Sequence, residues 1–341
     1  MRAMKAWQLH DTNGPASYRL DEIPTPDPKP GDVRVRLHAS ALNHLDLWVS
    51  HGMPAPHHFP HIAGADGAGV IDAVGEGVAG WEAGAEVVIN PSVSCGACPA
   101  CLAGDTPFCR TYGILGEHLA GTLAEYVVVP SRNVLAKPST LSWEQAGAYG
   151  LATGTAYRML RRARLGAGDV LLVVGVGGGV SAMALHLGLA MGATVFVTSR
   201  SEEKIARAVE LGAAGGFDSA TAFSRELKAA AGRPADVAID SVGPATFEQS
   251  MRSLSPGGRL AVCGGTSGPK VEITLPILFF KQLEIIGSTM FDHAEFAAVT
   301  DLVGSGRVPV QVDSVTPFDE LPLALERLEQ GSQLGKVVIG R

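Results

Sequence analysis

The sequence predicts an α/β fold: a doubly wound parallel sheet joined to a β-rich domain. Three observations predict it. Continuous apolar runs alternate with helix-like stretches from about residue 155 onward. A glycine-rich turn at 175–179 lies between one such run and the stretch that follows it. The first 150 residues instead carry short β-branched runs broken by glycine and proline. Apolar strands alternating with helices indicate a parallel sheet covered on both faces, and short punctuated runs indicate antiparallel strands.

The runs VRVRLHA, AGVIDAVG, AEVVINP and AEYVVVP supply the strands of the first part. GDVLLVVG, SAMALHLGLAMG, ATVFVTS and SEEKIARAVELG then form a βαβα series, which DVAID, GRLAVCGG and LEIIGS continue as buried strands. Two further helices (AEFAAVTDLVGSG and DELPLALERLEQ) and a last strand, KVVIG, make a tail too short to stand alone, so it is expected to pack on the first domain. At 341 residues the chain suits two domains. The expected division is 1–152 plus 291–341 for one and 153–290 for the other.

Hydrophobic residues make up 46% of the chain and charged residues 18%, which excludes a disordered protein. A net charge of −7 and no basic run argue against nucleic acid as a partner. The nearly uncharged stretch from Val170 to Val197 is long enough for a bilayer, but glycines at 175, 177, 178, 179, 188 and 192 break it into strand, turn, helix and strand. No membrane partner is expected. The segment MRAMKAWQLHDTNG has no apolar core of a signal peptide, and a cytoplasmic protein is expected.

Cys95, Cys98, Cys101 and Cys109 follow the spacing C-x2-C-x2-C-x7-C within a lobe at 91–112. Four thiolates at this spacing close a tetrahedral shell around one structural zinc per chain and leave no coordination position for chemistry. The alternative, two disulfides, conflicts with the cytosolic character of the chain. Cys263 ends an apolar run and is expected to pack as a small hydrophobe.

The turn Gly175, Val176, Gly177, Gly178, Gly179, Val180 and Ser181 joins a strand to a helix. Glycines there let backbone N–H groups approach a pyrophosphate at the positive helix end. Val180 replaces the third glycine of G-x-G-x-x-G, and the string fits the shifted form G-x-x-G-x-x-S. The second strand ends in Thr198, Ser199, Arg200 and Ser201, with Lys204 one turn on. An acid at that place would grip a ribose 2′-hydroxyl; a hydroxyl and two cations instead predict NADPH over NADH.

Cysteine lobe, glycine turn, βαβ series and returning tail together resemble the medium-chain dehydrogenase/reductase superfamily over essentially the whole chain. The four-cysteine spacing resembles its zinc alcohol dehydrogenase branch. The resemblance implies a GroES-like catalytic domain interrupted by a Rossmann domain, with the active site in the cleft between them. It also implies catalytic-zinc ligands, and here the chain departs. Asn43 stands where a cysteine is expected, Ala65 replaces the histidine, and Tyr149 replaces the last ligand; Asp66 remains at the acidic position. One carboxylate does not make a zinc site.

The segment ALNHLDLW resembles the zinc-independent quinone oxidoreductase branch, which implies Asn43 beside the nicotinamide. Beside that resemblance, His44 follows Asn43 and is a candidate proton donor or part of a solvated loop, Trp48 shapes the substrate pocket or is a packed aromatic near the cleft, and Tyr149 donates to a carbonyl or fills the space the metal vacated. The reaction implied is NADPH-dependent reduction of an α,β-unsaturated carbonyl or quinone-like small molecule without a catalytic metal, because an enolate needs only hydrogen bonds and a proton. The resemblance leaves two rivals: an alcohol dehydrogenase or carbonyl reductase, with a rebuilt metal site on His44, His61 and Asp66 as its extreme form, and a nucleotide-binding protein with little turnover. It further implies cofactor contacts from Thr153, from Ser241, Val242 and Gly243, from Cys263, Gly264 and Gly265, and from Gly287, Ser288 and Thr289, with Lys336 at the pyrophosphate. A homodimer or homotetramer is expected, with the apolar run LPILFFKQLEIIGS forming an edge strand paired across a two-fold axis.

Overall fold

The computed structural model describes residues 3–341, so the first two residues of the expected first domain lie outside the described residues. The chain divides into two compact units. One runs to Leu151 and adds Phe291–Gly306 and Val310–Arg341; the other comprises Ala152–Met290 with Arg307–Pro309.

The first unit is built on a seven-stranded sheet. Its central strand, Asp32–Ala41, has inward valines and leucine at alternate positions: Val33, Val35 and Leu37 are buried while Arg34 and Arg36 point the other way. On one side it pairs antiparallel with Asp66–Val74, placing Ala41 opposite Asp66. On the other it pairs antiparallel with the last strand, Lys336–Gly340, with Ala41 opposite Val338. Asp66 and Lys336 thus start the two strands that flank the end of Asp32–Ala41. The seven-residue helix His44–Ser50 begins directly after it.

A strand absent from the sequence reading, Val312–Pro317, forms one edge of this sheet beside Lys336–Gly340. Its polar, half-exposed residues conceal it, because an edge strand has only one face to bury.

The second unit contains the expected doubly wound sheet. Its order is Gly215–Asp218, Thr194–Ser199, Val170–Val173, Ala235–Asp240, Leu254–Val262 and Glu284–Gly287, all parallel. The strand order reverses beside Val170–Val173, and ligands of such sheets bind outside the carboxyl ends of the strands at that point. Phe196, Phe223, Phe247, Leu172 and Leu260 fill one of its cores.

Two expectations about its last strand are corrected. Glu284–Gly287 is an edge strand with mostly exposed residues, not a buried one, because among the described residues no strand pairs beyond it. The preceding LPILFF is a helix, Leu275–Phe280, with a proline in its first turn, and not part of a strand. Among the described residues, no helix is long and apolar enough to cross a membrane.

Candidate functional site

In the second unit, the residues expected to hold a dinucleotide collect at the carboxyl ends of the parallel strands. Ser199 and Gly287 end their strands, while Ser241 and Cys263 immediately follow theirs. The turn from Gly175 follows Val170–Val173 and leads into the helix Gly179–Ala190.

Sequence explains this turn residue by residue. Gly175 has φ 76° and Gly177 has φ 143°, conformations that favour glycine. A Cβ on Gly177 would lie 3.0 Å from Lys204 Nζ, so the lysine crosses the turn at close range. The Ser181 hydroxyl donates to Gly175 O at 2.8 Å and to Gly178 O at 3.1 Å, and the Gly175 N–H donates to Thr198 Oγ1 at 3.1 Å. Both hydroxyls brace the turn from within.

Ser199 is buried and its Oγ accepts the Ser201 N–H, while Arg200 is exposed. Thr153 and Ser288 are buried, and neither hydroxyl has a partner within the protein. Buried unpartnered hydroxyls are costly, and hydrogen-bonding groups of a bound dinucleotide would satisfy them. Thr289 and Gly287 are exposed at the same strand end. These residues fit the group.

One residue of this region escaped the sequence reading. Asp240 is fully buried, and its carboxylate accepts from the Val242 and Gly243 N–H groups and from the Thr246 and Ser250 hydroxyls. It therefore fixes the Ser241–Val242–Gly243 loop, where Gly243 has φ 89°. The signal was an aspartate closing an apolar strand, four donors being within ten residues of it. Across the strand ends, burial and then the Asp240 charge push the Cys263 thiol up to about 12, which agrees with an inert role. Gly264 and Gly265 follow it, and a Cβ on Gly265 would strike Gly268 O at 2.5 Å.

In the first unit, the four cysteine sulfurs lie within 4.8 Å of one another. Cys95 Sγ is 3.8 Å from Cys101 Sγ and 3.6 Å from Cys109 Sγ, and Cys98 Sγ is 3.5 Å from Cys101 Sγ. A tetrahedral zinc with bonds of ~2.3 Å has sulfur–sulfur edges of about 3.8 Å. The thiols are unbridged, which removes the disulfide alternative. Backbone N–H groups of Ala97 and Cys98 point at Cys95 Sγ, and that of Cys95 at Cys109 Sγ. The Cys95 N–H, followed by the Thr111 hydroxyl, lowers the Cys109 thiol to about 6. The short ladder of Ser92–Val93 with Gly113–Ile114 closes the base of the lobe. The donor set fits a structural zinc.

The position expected for a catalytic metal is differently furnished. Lys336 is 2% exposed, and its Nζ donates to Asn43 Oδ1 at 2.5 Å and to Asp66 Oδ2 at 2.8 Å. Asn43 Nδ2 donates to the same Asp66 oxygen at 3.0 Å, and Asp66 Oδ1 accepts the Leu151 N–H at 2.5 Å. The Asn43 N–H is held by Asp46 Oδ2 at 2.8 Å, whose other oxygen takes the Gly64 N–H at 2.9 Å. Burial, opposed by these two N–H groups and by Lys336, raises the Asp46 carboxyl to about 6.

This geometry corrects the expectation for Lys336. Its ammonium is buried against Asn43 and Asp66 and is not offered to a pyrophosphate. Tyr149 agrees with the space-filling alternative: it is fully buried, stacked on Phe296, with its hydroxyl 2.9 Å from Thr300 Oγ1. Burial pushes its phenol well above the ordinary range.

His44 and Trp48 lie four apart on one helix face, both half-exposed, with ring centroids 6.4 Å apart. His61 Nε2 lies 3.0 Å from Gly116 O, and burial lowers its pKa. His51, His57 and His58 are exposed. The rebuilt site on His44, His61 and Asp66 is not assembled: among the described residues the four cysteines are the one group placed to hold a metal.

A family model described as an alcohol dehydrogenase GroES-like domain matches residues 29–139, and one described as a zinc-binding dehydrogenase matches 179–305. The chain is 30% identical over 323 residues to the acryloyl-coenzyme A reductase of Metallosphaera sedula, covering 94% of this chain and 96% of that one. A solved NAD-dependent alcohol dehydrogenase superposes with a TM-score of 0.96 at 40% identity, covering 99% of this chain and 100% of that one. A 2-octenoyl-CoA carboxylase reductase solved with NADP and 2-octenoyl-CoA superposes with a TM-score of 0.92 at 28% identity, covering 99% and 87%. The chain is an oxidoreductase, and it belongs to the medium-chain dehydrogenase/reductase superfamily.

Proposed function

We propose that the protein reduces the carbon–carbon double bond of α,β-unsaturated carbonyl compounds, enoyl thioesters included, with NADPH and without a metal at the reacting site. The observation that supports this reading is the Lys336–Asn43–Asp66 cluster: Asn43, at a position the resemblance assigns to a catalytic-zinc ligand, is bonded to an ammonium and a carboxylate instead. An alkoxide needs strong charge stabilisation, whereas an enolate is served by hydrogen bonds and a proton from water. Bound NADPH supplies the hydride that adds to the β-carbon, and the α-carbon then takes a proton.

The chain's own residues orient and select. Ser199, Arg200 and Lys204 supply a hydroxyl and two cations with no acid at the strand end, which suits a 2′-phosphate. Thr153 and Ser288 offer their unpartnered hydroxyls to the cofactor. His44 and Trp48 present the accessible face of their helix, Trp48 as an apolar wall and His44 as the proton donor. The acryloyl- and octenoyl-CoA-acting relatives support an unsaturated thioester as the substrate class. The exposed edge strand Glu284–Gly287, with Phe279 and Phe280 exposed beside it, supports pairing with a second copy.

A second reading, alcohol oxidation, is favoured by the likeness to an NAD-dependent alcohol dehydrogenase. Initial rates with enones and enoyl thioesters under NADPH, set against primary and secondary alcohols under NAD+ and NADP+, separate the two. Oxidation of NADPH by the unsaturated compounds is expected. Turnover of alcohols alone would establish the second reading.

A further inference from the structure

We propose that Asn43 and Asp66 form a buried cation site whose permanent ligand is the ammonium of Lys336, a tethered cation in the place of a metal. This deepens the metal-free reading above and rests on it. The donor set does not fit catalytic zinc. It offers one amide oxygen and one carboxylate, both already bonded to an ammonium, where zinc takes three protein ligands of nitrogen, sulfur or carboxylate type. An ammonium between the two oxygens also repels an incoming divalent ion.

The placement is built into the sheet. Asp32–Ala41 lies between Asp66–Val74 and Lys336–Gly340, so Asp66 and Lys336 reach Asn43 from opposite sides as the chain leaves the strand. The Leu42 N–H donates to Val337 O at 2.9 Å and locks that register. Each polar group is then used. Lys336 holds the amide oxygen, Asp66 holds the amide nitrogen, and the Leu151 N–H takes the remaining carboxylate oxygen. Asp66 is wholly buried, so without the ammonium its charge would stand uncompensated. Lys336 is thus a positioning residue: it fixes the Asn43 amide and neutralises the carboxylate.

Lys336→Ala removes three methylenes and the ammonium, a fragment equal to propylammonium. Its melting temperature should rise with propylammonium chloride, as for a ligand bound by the folded state alone, and stay unchanged with n-propanol, which has the shape without the charge. Wild type and Lys336→Met should respond to neither. Equal rescue by propanol, or none by propylammonium, would overturn the proposal. Should Lys336→Ala not fold, Lys336→Met and Asp66→Asn/Lys336→Met decide: the double variant should melt higher than the single, and equal melting would overturn the charge pairing. Wild type grown in zinc-rich medium should carry one zinc per chain, and a second would also overturn it. None of these readouts uses turnover, so a failure to reduce unsaturated carbonyls would remove the reaction assigned above and leave the cation site standing.

Discussion

Tyr149 Oη lies 2.9 Å from Thr300 Oγ1, and the Thr300 hydroxyl itself donates to Phe296 O at 2.8 Å. The tyrosine is therefore the donor of the pair, and its proton is committed to a neighbour inside its own unit. Tyr149→Phe should keep its turnover number and lose about 1 kcal/mol of stability, the net worth of one buried hydrogen bond. Steady-state kinetics and chemical denaturation check both halves. A large fall in turnover with unchanged stability would return Tyr149 to the chemistry.

Asp46 gives a pH dependence of defined sign. Its carboxyl titrates at about 6 in the folded chain against the ordinary 3.8, so the native state holds a proton that the unfolded chain has released. Stability from this group is full below the unfolded value and is lost as pH rises through 6. Relative to Asp46→Asn, which lacks the titration, wild type should gain about 1 kcal/mol between pH 7 and pH 5. Denaturant melts of both proteins at the two pH values test it, and a constant difference would contradict it.

Cofactor choice should follow the second strand's end. Arg200→Ala should weaken NADPH binding about tenfold, the loss of one charged contact of ~1.4 kcal/mol, and leave NADH binding unchanged. Ser199→Asp should reverse the preference. Fluorescence titration with each nucleotide reads both, and equal weakening for the two nucleotides would remove Arg200 from the phosphate site.

Cys109→Ser should purify with less than one zinc per chain. The lobe between Ser92–Val93 and Gly113–Ile114 has few buried side chains of its own, so metal loss should open it locally. Trypsin should then cut at the exposed Arg110 much faster than in wild type. An intact, zinc-free lobe would contradict the structural role.

What could be read from the sequence was what is local. The four cysteines announce a metal lobe because their spacing sets their geometry, and Gly175 to Ser181 announce a phosphate turn because strand, turn and helix are contiguous. Departures from the ligand pattern that the resemblance implies were legible at Asn43, Ala65 and Tyr149. The pairing of Lys336 with Asn43 and Asp66 was not: Lys336 lies 293 residues from Asn43 and 270 from Asp66, and only strand pairing brings them together. The sequence left Tyr149 open between a donor and a space-filler, since its burial depends on Phe296 and Thr300, about 150 residues on. The apolar run at Leu275–Phe280 suggested a strand, since apolarity without a period does not separate helix from strand.

The most direct measurement of the central claim is the fate of a deuteride. Protein of known metal content, carrying one zinc per chain, is given NADPH deuterated at the transferable C4 position and an α,β-unsaturated ketone, and the product is examined by NMR. Deuterium on the former β-carbon of a saturated ketone is the predicted result. Deuterium on a carbinol carbon, with the double bond intact, would show carbonyl reduction and contradict the account.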